Sequence, residues 1–225
     1  MGLVNLLKLA DFVLPEKQDK KNLSMRNLIL VVHVSLDGFV AGPNREFDGF
    51  EASEENLLFV CKLTETADSI LMGRRSYELL EAGWPSMRDK PGASAGEIAY
   101  SNWYNAAKKV VVSKTNNSKN LHNTVVIGND LAGDIGRIKE QPGRDILLFG
   151  SPSVAQRLFQ LGLLDQCWVF VNPVLFGEGI PLFSQLSGKV KLTYLSAVPF
   201  ANGELAIHYQ INDSLPANVR SQYTN

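Results

Sequence analysis

The chain has 225 residues, 45% of them hydrophobic, with 22 basic and 23 acidic side chains and a formal net charge of -1. That length suits one full-sized domain with a substantial core, and the near-neutral balance, with no long run of either sign, gives no footprint for nucleic acid or an anionic membrane. No stretch approaches the roughly 20 apolar residues needed to span a bilayer, so the expected partner is a small molecule.

Met1 to Leu14 carries Leu3, Leu6, Leu7, Leu9, Ala10 and Val13 at helical spacing, but it lacks a basic start and is broken by Lys8 and Asp11. It reads as a docked or partner-facing helix rather than a secretory signal, and Lys17 to Ser24 as a polar linker. The expected organisation is an N-terminal extension over 1–24, one domain over 25–213 and a tail over 214–225. Leu28 to Val34 is a continuous aliphatic run, as in a central strand covered on both faces. His33 lies inside it, and a lone histidine in such a run is more often a hydrogen-bonded core residue than a catalyst. Ser53, followed by Glu54 and Glu55, caps a helix over Asn56 to Thr66.

Ser69 to Met72 reads as a second strand, and Gly73-Arg74-Arg75-Ser76 opens a helix that stops at Gly83. Trp84 to Asn102 is loop-like, with a short helix near Ala95 to Tyr104, and so long an excursion is often functional. Lys109 to Ser113 and Val125 to Ile127 are further strands, and Asp130 to Glu140 a helix. Ile146 to Phe149 is a buried strand that ends at Gly150, where Ser151 can cap and Pro152 can start the next helix. Cys167 to Leu175 is another apolar strand, with Pro173 suggesting a bulge or an edge. Val190 to Val198 and Glu204 to Ile211 read as a closing hairpin. Strands alternating with helices imply an α/β fold whose sheet is mostly parallel, with antiparallel strands at one side. Cys61 and Cys167 lack metal-ligand spacing and suit buried, unpaired thiols in a reducing, cytoplasmic compartment.

Three strand ends carry groups that suit phosphate. The helix start after Gly150 offers free amides, with Ser151 and Ser153 beside them, although a structural turn is the equal alternative. Arg74 and Arg75 stand at a second helix start, where like charges are hard to justify on stability and guanidinium forks match phosphate oxygens. Ser113, Lys114 and Thr115 follow a third strand and are weak alone. Together the three fit an extended ligand with several phosphates, for which a phosphorylated dinucleotide is the natural candidate. No Walker loop, nucleophile elbow or paired Cys and His ligand set occurs, so kinase, hydrolase and metal chemistry have no foothold.

LVVHVSLDGFVAG (30–42), ILMGRRSYELL (70–80), VVVSKT (110–115), ILLFGSPSVAQRL (146–158) and LGLLDQCWVFVNPVLFGEGIPLF (161–183) occur in the order seen in the dihydrofolate-reductase-like superfamily. The branch they resemble is the stand-alone relatives of the riboflavin-biosynthesis reductase (RibD C-terminal) domain, over about Met25 to Ile211. The resemblance implies a dihydrofolate-reductase-like fold, NADPH as cofactor and a homodimer. It also implies cofactor contacts from Gly73, Arg74, Arg75 and Ser76, from Ser113, Lys114 and Thr115 near the adenosine 2′-phosphate, and from Gly150, Ser151, Ser153 and Val154 at the pyrophosphate. Ser35, Asp37 and Gly38 match the block beside nicotinamide and substrate.

Two departures matter. The position that carries the pterin-binding acid in folate reductases falls at or beside Leu57, where no acid stands, and the zinc deaminase half of the bifunctional riboflavin enzyme is missing. The expected activity is hydride transfer from NADPH to a pteridine- or ribosylaminopyrimidine-like ring or a related acceptor. An NADP(H)-binding protein without turnover, and a true dihydrofolate reductase, are the alternatives. Asp37 is the expected acid, with turn capping as its bland alternative. Trp84 is the expected pocket wall, or else a loop aromatic packed on the core.

Overall fold

The computed structural model describes residues 25–51, 53–114, 123–184 and 189–212. The helical extension and linker expected over 1–24 and the tail over 214–225 lie outside them, as does Thr115. Ten strands and six helices follow in chain order. They are β1 (Leu28–Ser35), β2 (Phe39–Ala41), α1 (Glu54–Thr64), β3 (Ala67–Gly73), α2 (Arg74–Glu81), α3 (Trp84–Met87), α4 (Ala95–Ala106), β4 (Lys108–Val112) and β5 (Thr124–Ile127), then α5 (Leu131–Glu140), β6 (Asp145–Leu148), α6 (Pro152–Gln160), β7 (Gln166–Asn172), β8 (Ile180–Pro181), β9 (Leu192–Pro199) and β10 (Leu205–Ile211).

Eight strands form one sheet in the order β5-β4-β3-β6-β1-β7-β10-β9. The first six run parallel, and β10 is antiparallel to both β7 and β9. β1 lies between β6 and β7, which explains its unbroken aliphatic sequence: Ile29 and Val31 pack into one core layer and Leu28 and Leu30 into the other. The first layer is covered by α1, α2 and α4 through Phe59, Tyr77 and Tyr104, and the second by α5 and α6 through Ile135 and Leu158.

The helix starts follow their capping residues. The Ser53 side chain accepts from the amide of Asn56, and Asp130 from that of Gly133.

Two expectations need correcting. β7 is interior, paired with β1 and β10, so Pro173 follows the strand rather than marking an edge, and the edges are β5 and β9. The stretch after Gly83 is more ordered than its composition suggests. Trp84-Pro85 starts α3, and Ser94 with Glu97 forms a capping box for α4, a side-chain pattern that a Gly- and Ser-rich composition hides. Phe39–Ala41 pairs with Ile180–Pro181 in a separate two-stranded sheet.

Candidate active site

Parallel pairing brings the carboxyl ends of the strands to one rim, since Gly73 is opposite Val112 and Val112 opposite Ile127 while Leu148 is opposite both Leu71 and Leu30. The groups that follow those strands are therefore neighbours there. The amide of Gly73 donates to the carbonyl of Gly150 at 3.2 Å. A methyl group on Gly73 would stand 2.6 Å from Ser151 Oγ and 3.2 Å from Val154 Cγ2, and one on Gly150 would stand 3.1 Å from Ser76 Oγ. Glycine at both positions is what lets the two helix starts approach this closely. Gly150 also has φ +66, and the Gly150–Ser151 peptide is cis.

Neither helix start is capped by a side chain. Gly73 has none to offer, and Ser151 Oγ sits 3.0 Å from Ser153 Oγ instead of capping α6, contrary to the sequence expectation. Two sets of first-turn amides, each at the positive end of a helix dipole, thus converge at one place.

Beside them opens a cavity of ≈ 830 Å³. Ser76, Gly150, Ser151 and Trp84 of the expected set line it, and so do His33, Phe50, Glu54, Asn56, Leu57 and Phe149. Trp84 fulfils both of its readings, because its ring also lies 4.4 Å from that of Tyr100. Gly73, Ser113, Lys114, Ser153 and Val154 belong to the rim without lining the cavity. Arg74 and Arg75 are exposed at the start of α2, and Arg74 Nε donates to Glu78 at 2.8 Å, one helical turn on. An i,i+4 partner for Arg74 offsets part of the like-charge cost inferred from sequence.

Asp37 lies elsewhere. Ser35 Oγ donates to its carboxylate at 2.6 Å, and the amides of Phe176 and Gly177 donate at 3.2 and 2.8 Å. The Ser35 hydroxyl and these amides hold its pKa below the ordinary 3.8. Ser35 Oγ also accepts from the amide of Phe39, and Gly38 turns the chain at φ +87. Ser35, Asp37 and Gly38 therefore fasten the β1–β2 turn to the loop after β7, and none of the three lines the cavity. This geometry matches the turn-capping alternative for Asp37: its carboxylate accepts three hydrogen bonds from the two loops it joins.

The acid that the sequence failed to show is Glu204, whose side chain is 0% exposed. Asn56 Nδ2 donates to its Oε2 at 2.7 Å, and its Oε1, which has no hydrogen-bond partner among the described residues, lies at ion-pair distance, 2.7 Å, from His33 Nδ1. The hairpin turn is held under α1 by Ala201, whose amide donates to Glu55 at 2.9 Å, and by Phe200, edge-on to Phe59 at 5.6 Å. α1 also presents Glu54 to the cavity, but its oxygens accept from Ser94 Oγ at 2.6 Å and from the amide of Gly96 at 3.0 Å. Asn56 is separated from Glu204 by 148 residues, and a glutamate opening a strand gives no local signal of such a contact.

A mixed sheet with helices on both faces, a closing antiparallel hairpin and a cavity at the carboxyl ends of its parallel strands defines a dihydrofolate-reductase-like α/β protein. The chain belongs to the RibD C-terminal domain family, whose profile matches residues 26–205. It is 31% identical over 191 residues to the uncharacterized protein YyaP of Bacillus subtilis (strain 168), covering 85% of this chain and 98% of that one. A putative riboflavin biosynthesis protein from Shewanella sp. PV-4 shares the fold with a TM-score of 0.62 at 17% identity, over 83% of this chain and 99% of that one. Dihydrofolate reductase from Enterococcus faecalis, solved with NADP(H), does so with a TM-score of 0.56 at 13% identity, over 83% and 96%.

Proposed function

We propose that the chain is an NADPH-dependent reductase of a small planar heterocycle, pteridine- or ribosylaminopyrimidine-like, or of a related unsaturated acceptor. The observation that carries this reading is the convergence of two uncapped helix starts, α2 and α6, on glycines whose Cβ atoms would fill the space between them. Backbone amides at helix starts suit phosphate oxygens, so the residues present fit a dinucleotide cofactor. Amides of 74–76, 151 and 153 would hold the pyrophosphate, and Arg75, Ser113 and Lys114, exposed or half-buried near the ends of β3 and β4, would meet the 2′-phosphate.

When bound, NADPH supplies a hydride. The chain's own part is to position the acceptor, exclude water and move a proton. Leu57, Phe149 and Trp84 give the cavity apolar walls suited to a flat ring, and His33, Asn56 and Glu54 supply the polar edge. A binder without turnover has no need of a polar edge on the wall away from the phosphate site. A folate reductase is disfavoured by the contacts of Glu54, which leave its oxygens committed to Ser94 and Gly96.

Purified protein assayed for NADPH oxidation over pteridine, ribosylaminopyrimidine and quinone acceptors should turn over at least one of the ring compounds. Cofactor binding with no oxidation across the whole panel would favour the binder instead.

A further inference from the structure

We infer that His33 and Glu204 form a proton-delivering pair for the acceptor in this cavity, in which His33 is the catalytic residue and Glu204 and Asn56 position it. This deepens the reductase reading and rests on it.

The imidazole is sandwiched among groups that fix its orientation. Its ring stacks on Phe170 with centroids 4.8 Å apart and planes at 20°, and Phe50 lies 6.2 Å away on the cavity side. Two groups approach Nδ1: the carboxylate of Glu204 at 2.7 Å and the amide nitrogen of Asn172 at 3.4 Å. They ask for opposite tautomers, and distance decides between them. A carboxylate oxygen at 2.7 Å from a bare ring nitrogen would set lone pair against lone pair, whereas the Asn172 amide has a better acceptor in the carbonyl of Phe170 at 3.1 Å. The proton therefore sits on Nδ1. A neutral His33 keeps a lone pair on Nε2, and a charged one carries a second N–H there.

His33 side chain is 35% exposed and lines the cavity, while the glutamate behind it is 0% exposed and reaches solvent nowhere. A buried carboxylate is costly unless it is paired, and the partners in reach are one neutral amide, from Asn56, and this histidine. When the ring carries a second proton, that proton is on Nε2, and the ring lines the cavity. Reduction of a C=N or C=O bond calls for such a proton. With NADPH bound to supply the hydride, the π electron pair of the acceptor bond would move to the attached nitrogen or oxygen. That atom would take the proton from Nε2, the N–H bond of the ring would break, and neutral His33 would keep its proton on Nδ1, beside Glu204. Solvent would restore the Nε2 proton. The acceptor class that follows is an unsaturated ring with a basic nitrogen or carbonyl oxygen beside the carbon to be reduced. A quinone or olefin without such an atom against His33 would be a poorer fit.

Long-range ¹H–¹⁵N correlation of the histidine side chains tests the pair without turnover, at alkaline pH where the ring is neutral. The chain has three histidines, and loss of one signal set in His33→Gln assigns His33. Wild-type protein should show a pyrrole-type Nδ1 and a pyridine-type Nε2. Glu204→Leu, or Glu204→Gln should the leucine variant not fold, should lose that single tautomer. A proton on Nε2 in the wild type, or a tautomer indifferent to position 204, overturns the pair. Lumazine, a pteridinedione, added at millimolar concentration with NADP⁺ present, should move the Nε2 signal. No binding, or an unmoved Nε2, overturns the contact with the acceptor. Calorimetric titration of the same samples with NADPH tests the underlying cofactor reading separately, since the tautomer of His33 does not depend on the cofactor.

Discussion

Two carboxylates at the residue scale differ in how far the sequence shows them. Asp37, in a block that resembles a reductase nicotinamide loop, accepts hydrogen bonds from Ser35, Phe176 and Gly177, and Glu204, which no motif marks, sits against His33 and Asn56. The lowered pKa of Asp37 has a stated consequence for stability. A carboxyl held below its ordinary value of 3.8 in the fold contributes fully above that value, and the contribution is lost as pH falls through the lowered one. Asp37→Asn should therefore lower the melting temperature slightly at neutral pH, the gap to wild type should close as pH drops below 3.8, and turnover should persist. A large loss of turnover with cofactor affinity intact would return Asp37 to the catalytic role. Of the two cysteines expected to be buried, Cys167 is and Cys61 is half-buried; burial raises Cys61 to about 11 and Cys167 to about 12, and both are free of disulfides.

Among the elements, the α2 and α6 starts decide whether the cavity can hold phosphates. Gly73 has φ -71, so alanine there meets no backbone strain, only the crowding of Ser151 and Val154. Gly73→Ala should weaken NADPH by about tenfold, or about 1.4 kcal/mol, as the two helix starts move apart, and calorimetric titration of the variant measures it. An unchanged affinity would mean that this gap is not the phosphate seat. The same elements show how much of the site the sequence could reveal. Strand-end glycines followed by helix starts are local patterns, so Gly73, Ser76, Gly150 and Ser151 could be read directly, as could the parallel sheet from its aliphatic runs. Trp84 was reachable because it opens a long excursion. The polar edge was not, because His33, Asn56 and Glu204 meet only when the hairpin turn docks beneath α1, through Phe200 on Phe59 and Ala201 on Glu55. The failure of Ser151 to cap α6 is likewise tertiary, since its hydroxyl is drawn to Ser153 beside the packed Gly73.

For the whole molecule, the sheet order leaves an edge for the expected homodimer. β7 is covered on both sides, whereas β9 is an edge strand with Leu192, Tyr194 and Leu195 exposed along it. An apolar edge of this kind invites pairing. We propose a homodimer through β9, and light scattering at micromolar concentration should give twice the chain mass, falling to the monomer in Tyr194→Lys. A monomeric wild type would end the proposal. Among the described residues no helix is long and apolar enough to cross a membrane. The reductase reading stands or falls at the rim of the sheet. The direct measurement is calorimetric titration of the wild-type protein with NADPH and with NADH. The account predicts one site per chain, with NADPH bound at least about tenfold more tightly because Arg75 and Lys114 meet an extra phosphate. Absence of binding by either cofactor, or equal dissociation constants for the two, would contradict it.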